Sequence, residues 1–467
     1  MVFSSISFIY YFLPVVLLLY AATPYRYKNI TLFVSSLIFY FAGEPVFFLL
    51  LILSSIIDYT HSRTIERYRG TPKAKRALVR SIVMNLGLLV FFKYGNFIVD
   101  NLNTLLSLNI DIPDIPLPIG ISFFTFQTMS YTIDVYRGQA KAKKSFLGVG
   151  TFVALFPQLI AGPIVRYKSV EKELTQRVHS LNLFGEGVSR FVVGLGKKVL
   201  LANTLAVLVE KTLSVSDPSV LQYWLGAIGF VFQIYFDFSG YSDMAIGLGK
   251  MFGFHFPENF HYPYMARSIT DFWRRWHMSL GQWFRDYVYI PLGGNRVTKK
   301  RWFLNILIVW FLTGLWHGAS WNYVLWGVLF GAVLIFEKFV GLKWLQKIPK
   351  IFCHAYVLGI VLVSFVIFKY ESTQDMLEVF RGMFGQLDIP LVSRESMMDL
   401  RQYIVTFLIA GIGTTSWPKR WAQTLSRSNT LKKLYSPIAV ISLFMLMMMT
   451  TGYLVDGSFN PFLYFRF

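Results

Sequence analysis

The chain has 467 residues, of which 54% are hydrophobic and 15% charged, with a formal net charge of +20. A soluble chain carries about 25% charged residues, so a soluble globular protein is excluded, and no polar stretch is long enough to be a soluble domain of its own. The single cysteine, Cys353, excludes an intramolecular disulfide and a four-thiolate zinc or iron–sulfur centre. The expectation is one membrane-embedded domain over 1–467. The positive charge reads as membrane topology and contact with membrane lipids, not nucleic acid, because the basic residues cluster between apolar segments.

Apolar segments succeed one another at roughly 5–20, 29–42, 46–60, 81–101, 117–136, 146–162, 184–209, 220–250, 302–317, 322–338, 351–369, 402–416 and 437–453. This pattern predicts an all-α, polytopic helical membrane protein with roughly 11–13 membrane segments. The first segment lacks a basic n-region and a small-residue cleavage site, so it reads as a span and not a removable leader. Several segments fall short of the ~20 residues that cross a bilayer and must be tilted, re-entrant or paired at a thinned centre.

The loops alternate in charge. Residues 63–80 hold seven basic side chains and one acid, Glu66. Asp111 and Asp114 follow, and then Arg137, Lys141, Lys143 and Lys144. Later, 338–350 is basic, 371–399 mainly acidic, and 419–433 basic without an acid. Placing the basic loops in the cytoplasm puts both termini outside. The middle, 163–301, does not resolve this way. Its block 257–301 is rich in Trp, Arg and His and is punctuated by Pro257, Pro263 and Pro291. It is too polar to face lipid and too aromatic for a solvated loop, which predicts amphipathic or re-entrant helices against the membrane core. There is no internal repeat.

Three constellations could carry chemistry. His317 lies in Thr313-Gly314-Leu315-Trp316-His317-Gly318, between two apolar runs. An ionisable residue at membrane depth is costly and is a functional candidate by default, and the flanking glycines admit a second backbone or a ligand. The plainer alternative is a histidine hydrogen-bonded between packed helices. His277 lies in Asp271-Phe272-Trp273-Arg274-Arg275-Trp276-His277. Tryptophan and arginine there suit an interfacial anchor, and Arg274 with Arg275 could equally hold coenzyme phosphates. Asp237, Ser239 and Asp243 stand in an otherwise apolar run, where they would orient a histidine, line a polar tunnel or cap a helix. Membrane-buried acids need partners, so both aspartates are expected in the protein interior. No P-loop, dinucleotide fingerprint, nucleophile elbow or H-E-x-x-H spacing occurs, and no metal site is predicted.

The segments Pro118-Ile119-Gly120-Ile121-Ser122-Phe123-Phe124, Pro157-Gln158-Leu159-Ile160-Ala161-Gly162-Pro163-Ile164, Asp237 to Asp243, Asp271 to Leu280, Tyr289-Ile290-Pro291-Leu292-Gly293-Gly294-Asn295 and Leu315-Trp316-His317-Gly318 resemble the membrane-bound O-acyltransferase superfamily. The likeness is to its bacterial branch that acetylates alginate and peptidoglycan and alanylates teichoic acid. It implies helices around a central tunnel from the cytoplasm to the outer face, in the inner membrane. It further implies an acyl thioester donor, acetyl-CoA, with no permanently bound cofactor. Catalysis would fall to His317 and His277, with Arg274, Arg275, Asp237, Ser239, Asp243 and Trp316 along the donor path. An extracellular or periplasmic hydrolase-like acetyltransferase partner would complete transfer to a polysaccharide. The tail Phe462-Leu463-Tyr464-Phe465-Arg466-Phe467 is similar to an aromatic motif of this branch in which the tyrosine carries the acyl group, which singles out Tyr464. An aromatic anchor at the interface is the alternative for this tail. A transporter or flippase would explain the buried acids equally well, and a non-catalytic scaffold is a third class. Transport would favour inverted repeats, and none is found.

Overall fold

The computed structural model describes every residue except 114, 161, 428–431, 458–462 and 464–467, and the side chains of all the others but 427 and 432–436. Every regular element among the described residues is helical. Among the described residues, five helices are long and apolar enough to cross a membrane: Pro72–Leu106, Leu181–Lys211, Trp321–Leu345, Lys350–Lys369 and Pro437–Asp456. The protein is an all-α polytopic membrane protein. On Pro437–Asp456, Ile438, Ile441, Phe444, Met445, Met448 and Met449 are all exposed, a surface that only lipid can cover at acceptable cost.

Some of the other apolar segments are helices of another kind. Phe146–Ala154 has nine residues, so at about 1.5 Å per residue it falls far short of a ~30 Å hydrocarbon core. Ile121–Tyr136 buries nearly all of its side chains, including Thr125, Gln127, Thr128, Ser130, Thr132 and Asp134. It is apolar because it is a core helix. Val220–Met251 runs for 32 residues and carries Gln222, Gln233, Asp237 and Ser239 as buried polar groups.

The chain forms two compact units, Met1–Phe191 with Ser242–Pro257, and Val192–Tyr241 with Glu258–Phe467. In the first, a buried polar network replaces counter-ions. Ser81 Oγ donates to Asp58 Oδ1 at 2.5 Å, Asn85 Nδ2 donates to the same oxygen at 3.0 Å, and Ser54 Oγ donates to Asn85 Oδ1 at 2.8 Å. A buried carboxylate needs these donors, because an unsatisfied one would cost several kcal/mol.

In the second unit the core is aromatic. Helices Lys299–His317 and Trp321–Phe336 pack backbone to backbone through glycine. A Cβ at Gly314 would overlap the Tyr323 carbonyl oxygen, and one at Gly327 would overlap the Trp310 carbonyl oxygen. This close approach is the one expected from the glycines around His317, and it holds that residue at the junction of the two helices.

Candidate active site

The site is assembled in the second unit from a short helix, a turn and the end of a long helix. Ser268 opens the helix Ile269–Trp273, its hydroxyl accepting from Asp271 N at 3.0 Å. The buried carboxylate of Glu337 accepts from the Ile269 and Thr270 amides at 2.6 and 2.8 Å and from the Thr270 hydroxyl at 2.6 Å. A carboxylate at a helix N-terminus satisfies free N–H groups and matches the helix dipole. These bonds fix where the chain leaves the helix, and so where Arg274 to His277 fall.

His277 then adopts φ 43° and ψ 51°, the left-handed region, immediately before the helix Met278–Phe284. Non-glycine residues pay for that conformation, and the surroundings must enforce it. Asn259 does so. Its backbone carbonyl accepts from Met278 N at 2.9 Å, and its side-chain Oδ1 accepts from Ser279 Oγ at 2.8 Å and Ser279 N at 3.3 Å. His277 Nδ1 is 3.1 Å from that same oxygen. Oδ1 is an acceptor, so Nδ1 must carry the proton and Nε2 the lone pair. This is the tautomer that leaves Nε2 as a base or hydrogen-bond acceptor.

His317 ends the helix Lys299–His317 and is buried in a ring of aromatics. Its ring centroid is 5.0 Å from Trp316, 4.9 Å from Trp326 and 5.3 Å from Phe368. Trp316 also reaches His277, at 5.7 Å, and Phe238 closes the other side of His277 at 4.6 Å. One indole therefore stands against both histidines. Beside His277 opens a cavity of about 510 Å³, lined by Trp273, Arg274, His277, Gln282, Trp310 and Thr313, among others. Thr313 brings that lining to within one helical turn of His317. The buried His277 imidazole on a largely apolar cavity with a guanidinium, with a second buried imidazole against the same indole, can exchange a proton with a bound hydroxyl and attract an anionic ligand.

The other expected residues divide. Asp237 is buried in an ion pair with Lys198, 2.6 Å from Oδ1 to Nζ, and its Oδ2 accepts from Leu463 N at 3.0 Å. Ser239 is buried two residues further along the same helix. Asp243 belongs to the first unit, where Arg190 Nε and an Arg190 terminal nitrogen donate to it at 2.9 and 2.8 Å. Arg274 and Arg275 do not act together. Arg274 lines the His277 cavity, whereas Arg275 is held by Asp271 at 2.9 Å in a separate cleft. Tyr464 lies outside the described residues. Among the described residues no cluster of His, Cys, Asp or Glu could hold a metal ion.

Residues 125–372 match the model of the membrane-bound O-acyltransferase family, a span that includes both histidines. The chain belongs to that family. Its relatives place it in the alginate O-acetylase-like branch of these O-acyltransferases. It is 38% identical to the "probable alginate O-acetylase" of Azotobacter vinelandii, with all of each chain covered. It is 42% identical to the protein of the same name from Pseudomonas aeruginosa, over 86% of this chain and 78% of the relative. It is 32% identical to the "peptidoglycan O-acetyltransferase" of Helicobacter pylori, over 82% of this chain and 80% of the relative.

Three residues that shape this O-acyltransferase's site escaped the sequence reading. Lys198 was within reach, since a lysine inside the apolar run 184–209 calls for a buried partner as surely as Asp237 does. Glu337 and Asn259 carried no such signal, because their roles depend on contacts between segments that no periodicity relates.

Proposed function

We propose that this O-acyltransferase takes an acetyl group from cytoplasmic acetyl-CoA and delivers it across the inner membrane for O-acetylation of an exported polysaccharide. The observation that carries this reading is the pair of buried histidines that share contact with Trp316, one of them, His277, lining a cavity that bears Arg274. The relatives named for acetylation of alginate and peptidoglycan support an acetyl group and a polymer acceptor.

In this reading His317 is the general base. A hydroxyl is a poor nucleophile until its proton is removed, and a buried neutral imidazole suits that task. The hydroxyl oxygen attacks the thioester carbonyl as His317 takes its proton. The carbon–sulfur bond breaks, and the departing thiolate receives that proton back from the imidazolium. His277 and Arg274 serve the donor side, orienting the thioester and attracting coenzyme phosphate.

The first acceptor is the phenol of Tyr464, which then presents the acetyl group outside, where charge counting puts this terminus. A phenol has a pKa of about 10, below that of an alkyl alcohol, so transfer from a tyrosyl ester to a serine or sugar hydroxyl is downhill. An extracellular hydrolase-like partner would take it onward.

The test is transfer from radiolabelled acetyl-CoA by purified protein. His317→Ala should lower turnover by about 10²–10⁴-fold while leaving expression and detergent extraction normal. Wild-type turnover in that variant ends the proposal.

A further inference from the structure

A second polar cleft of about 540 Å³ lies in the second unit, apart from the His277 cavity. The stretch 261–275 supplies one wall and the helix Trp417–Arg427 the other. The helix is divided lengthwise. Lys419, Arg420 and Gln423 turn into the cleft, together with Ser416 just before the helix. Trp417 and Trp421, one turn apart on another face, are 67% and 71% exposed. A helix with exposed tryptophans on one face and cations on another lies in the membrane interface, its indoles at headgroup level.

The charges in the cleft do not balance. Arg275 is matched by Asp271. Arg267, Lys419 and Arg420 also line it, and no ion pair joins any of their side chains to a carboxylate among the described residues. Three like charges gathered in one cleft repel each other, and a bound anion relieves that repulsion while accepting charge-assisted hydrogen bonds. Arginine and lysine together favour a tetrahedral oxyanion such as phosphate.

We propose that this cleft binds a phosphate group, and that the phosphate is the headgroup of an anionic phospholipid. The shared chemistry could also be met by a soluble phosphate ester. The lipid is favoured because the exposed tryptophans set the same helix at the depth where lipid phosphates lie. Basic pockets beside membrane helices hold anionic headgroups in this way.

The experiment uses the full chain, purified and delipidated in detergent, then offered palmitoyl-oleoyl phosphatidylglycerol or phosphatidylcholine and read by native mass spectrometry. Phosphatidylglycerol should be retained in preference. The triple variant Arg267→Gln, Lys419→Gln, Arg420→Gln should lose that preference by roughly tenfold or more, since each basic residue near an anionic surface contributes about fivefold. Arg420→Lys and Lys419→Arg, which keep the charge, should retain it. Arg63→Gln with Arg67→Gln, in a basic cleft of the first unit, should also leave it intact. Equal retention of the two lipids by the wild type, or an unchanged preference in the triple variant, overturns the site. Displacement of phosphatidylglycerol by free coenzyme A overturns the lipid assignment.

Discussion

Lys198 Nζ lies 2.6 Å from Asp237 Oδ1, and both side chains are 2% exposed. Two buried charges in contact stabilise little relative to well-packed apolar groups, but losing one leaves the other stranded. Asp237→Ala should therefore destabilise the protein by about 3–5 kcal/mol. The double replacement Asp237→Leu, Lys198→Met should recover most of that. Thermal unfolding in detergent checks both. A double variant no more stable than the single one would contradict the pairing.

Asn259 fixes the His277 tautomer by accepting from Nδ1. Asn259→Leu removes that acceptor and frees the ring to take the other tautomer, which should lower acetyl transfer by roughly tenfold or more. Asn259→Asp keeps an acceptor oxygen and should retain most of the activity. Steady-state turnover of the two variants, each with its elution profile, makes the comparison. Equal activities in Leu and Asp variants would show that the bond has no catalytic consequence.

Tyr464→Phe separates the two roles open to the aromatic tail. The substitution keeps an aromatic ring and deletes the hydroxyl. Acetylation of the polymer in cells should fall to background, while membrane insertion stays normal. Polymer acetylated at the normal level in that strain would eliminate the carrier.

His179, in the first unit and outside the membrane-spanning helices, is held below the ordinary histidine value by burial and then by the charges of Lys28 and Arg177. Tyr20 Oη sits 2.9 Å from its Nε2. The unfolded chain thus binds this proton more readily than the folded one, and stability rises with pH across the interval between the two values. The full contribution is present above about pH 6.5 and is lost as the pH falls from there towards the lowered folded value. His179→Gln should flatten the decline in melting temperature between about pH 5 and 7. An unchanged slope would reject the assignment.

His317 was legible because a single ionisable residue between apolar runs violates the expectation for a span, and Gly314 and Gly318 announce a close contact. The burial of Ile121–Tyr136 within the protein was not legible, because hydropathy responds alike to burial in lipid and burial in protein. The separation of Arg274 from Arg275 was not legible. Consecutive residues on a helical turn point about 100° apart, so neighbours in sequence need not share a site. Asn259 and His277 are only 18 positions apart, yet their contact depends on two irregular segments running side by side, for which no periodicity exists.

The bond from Leu463 to Asp237 spans 226 positions, and this sets an order of assembly. Residue 237 enters the membrane with Lys198 already synthesised, but its second oxygen receives Leu463 only after the helices between them have been made and inserted. Until then that carboxylate is short of a donor, and the aromatic core that Leu463 joins is incomplete. A nascent chain halted after Lys350–Lys369 would carry both histidines and yet lack this closure. Released chains truncated before residue 463 should therefore stay open to membrane proteases, which makes completion of the core a late event in the life of each molecule.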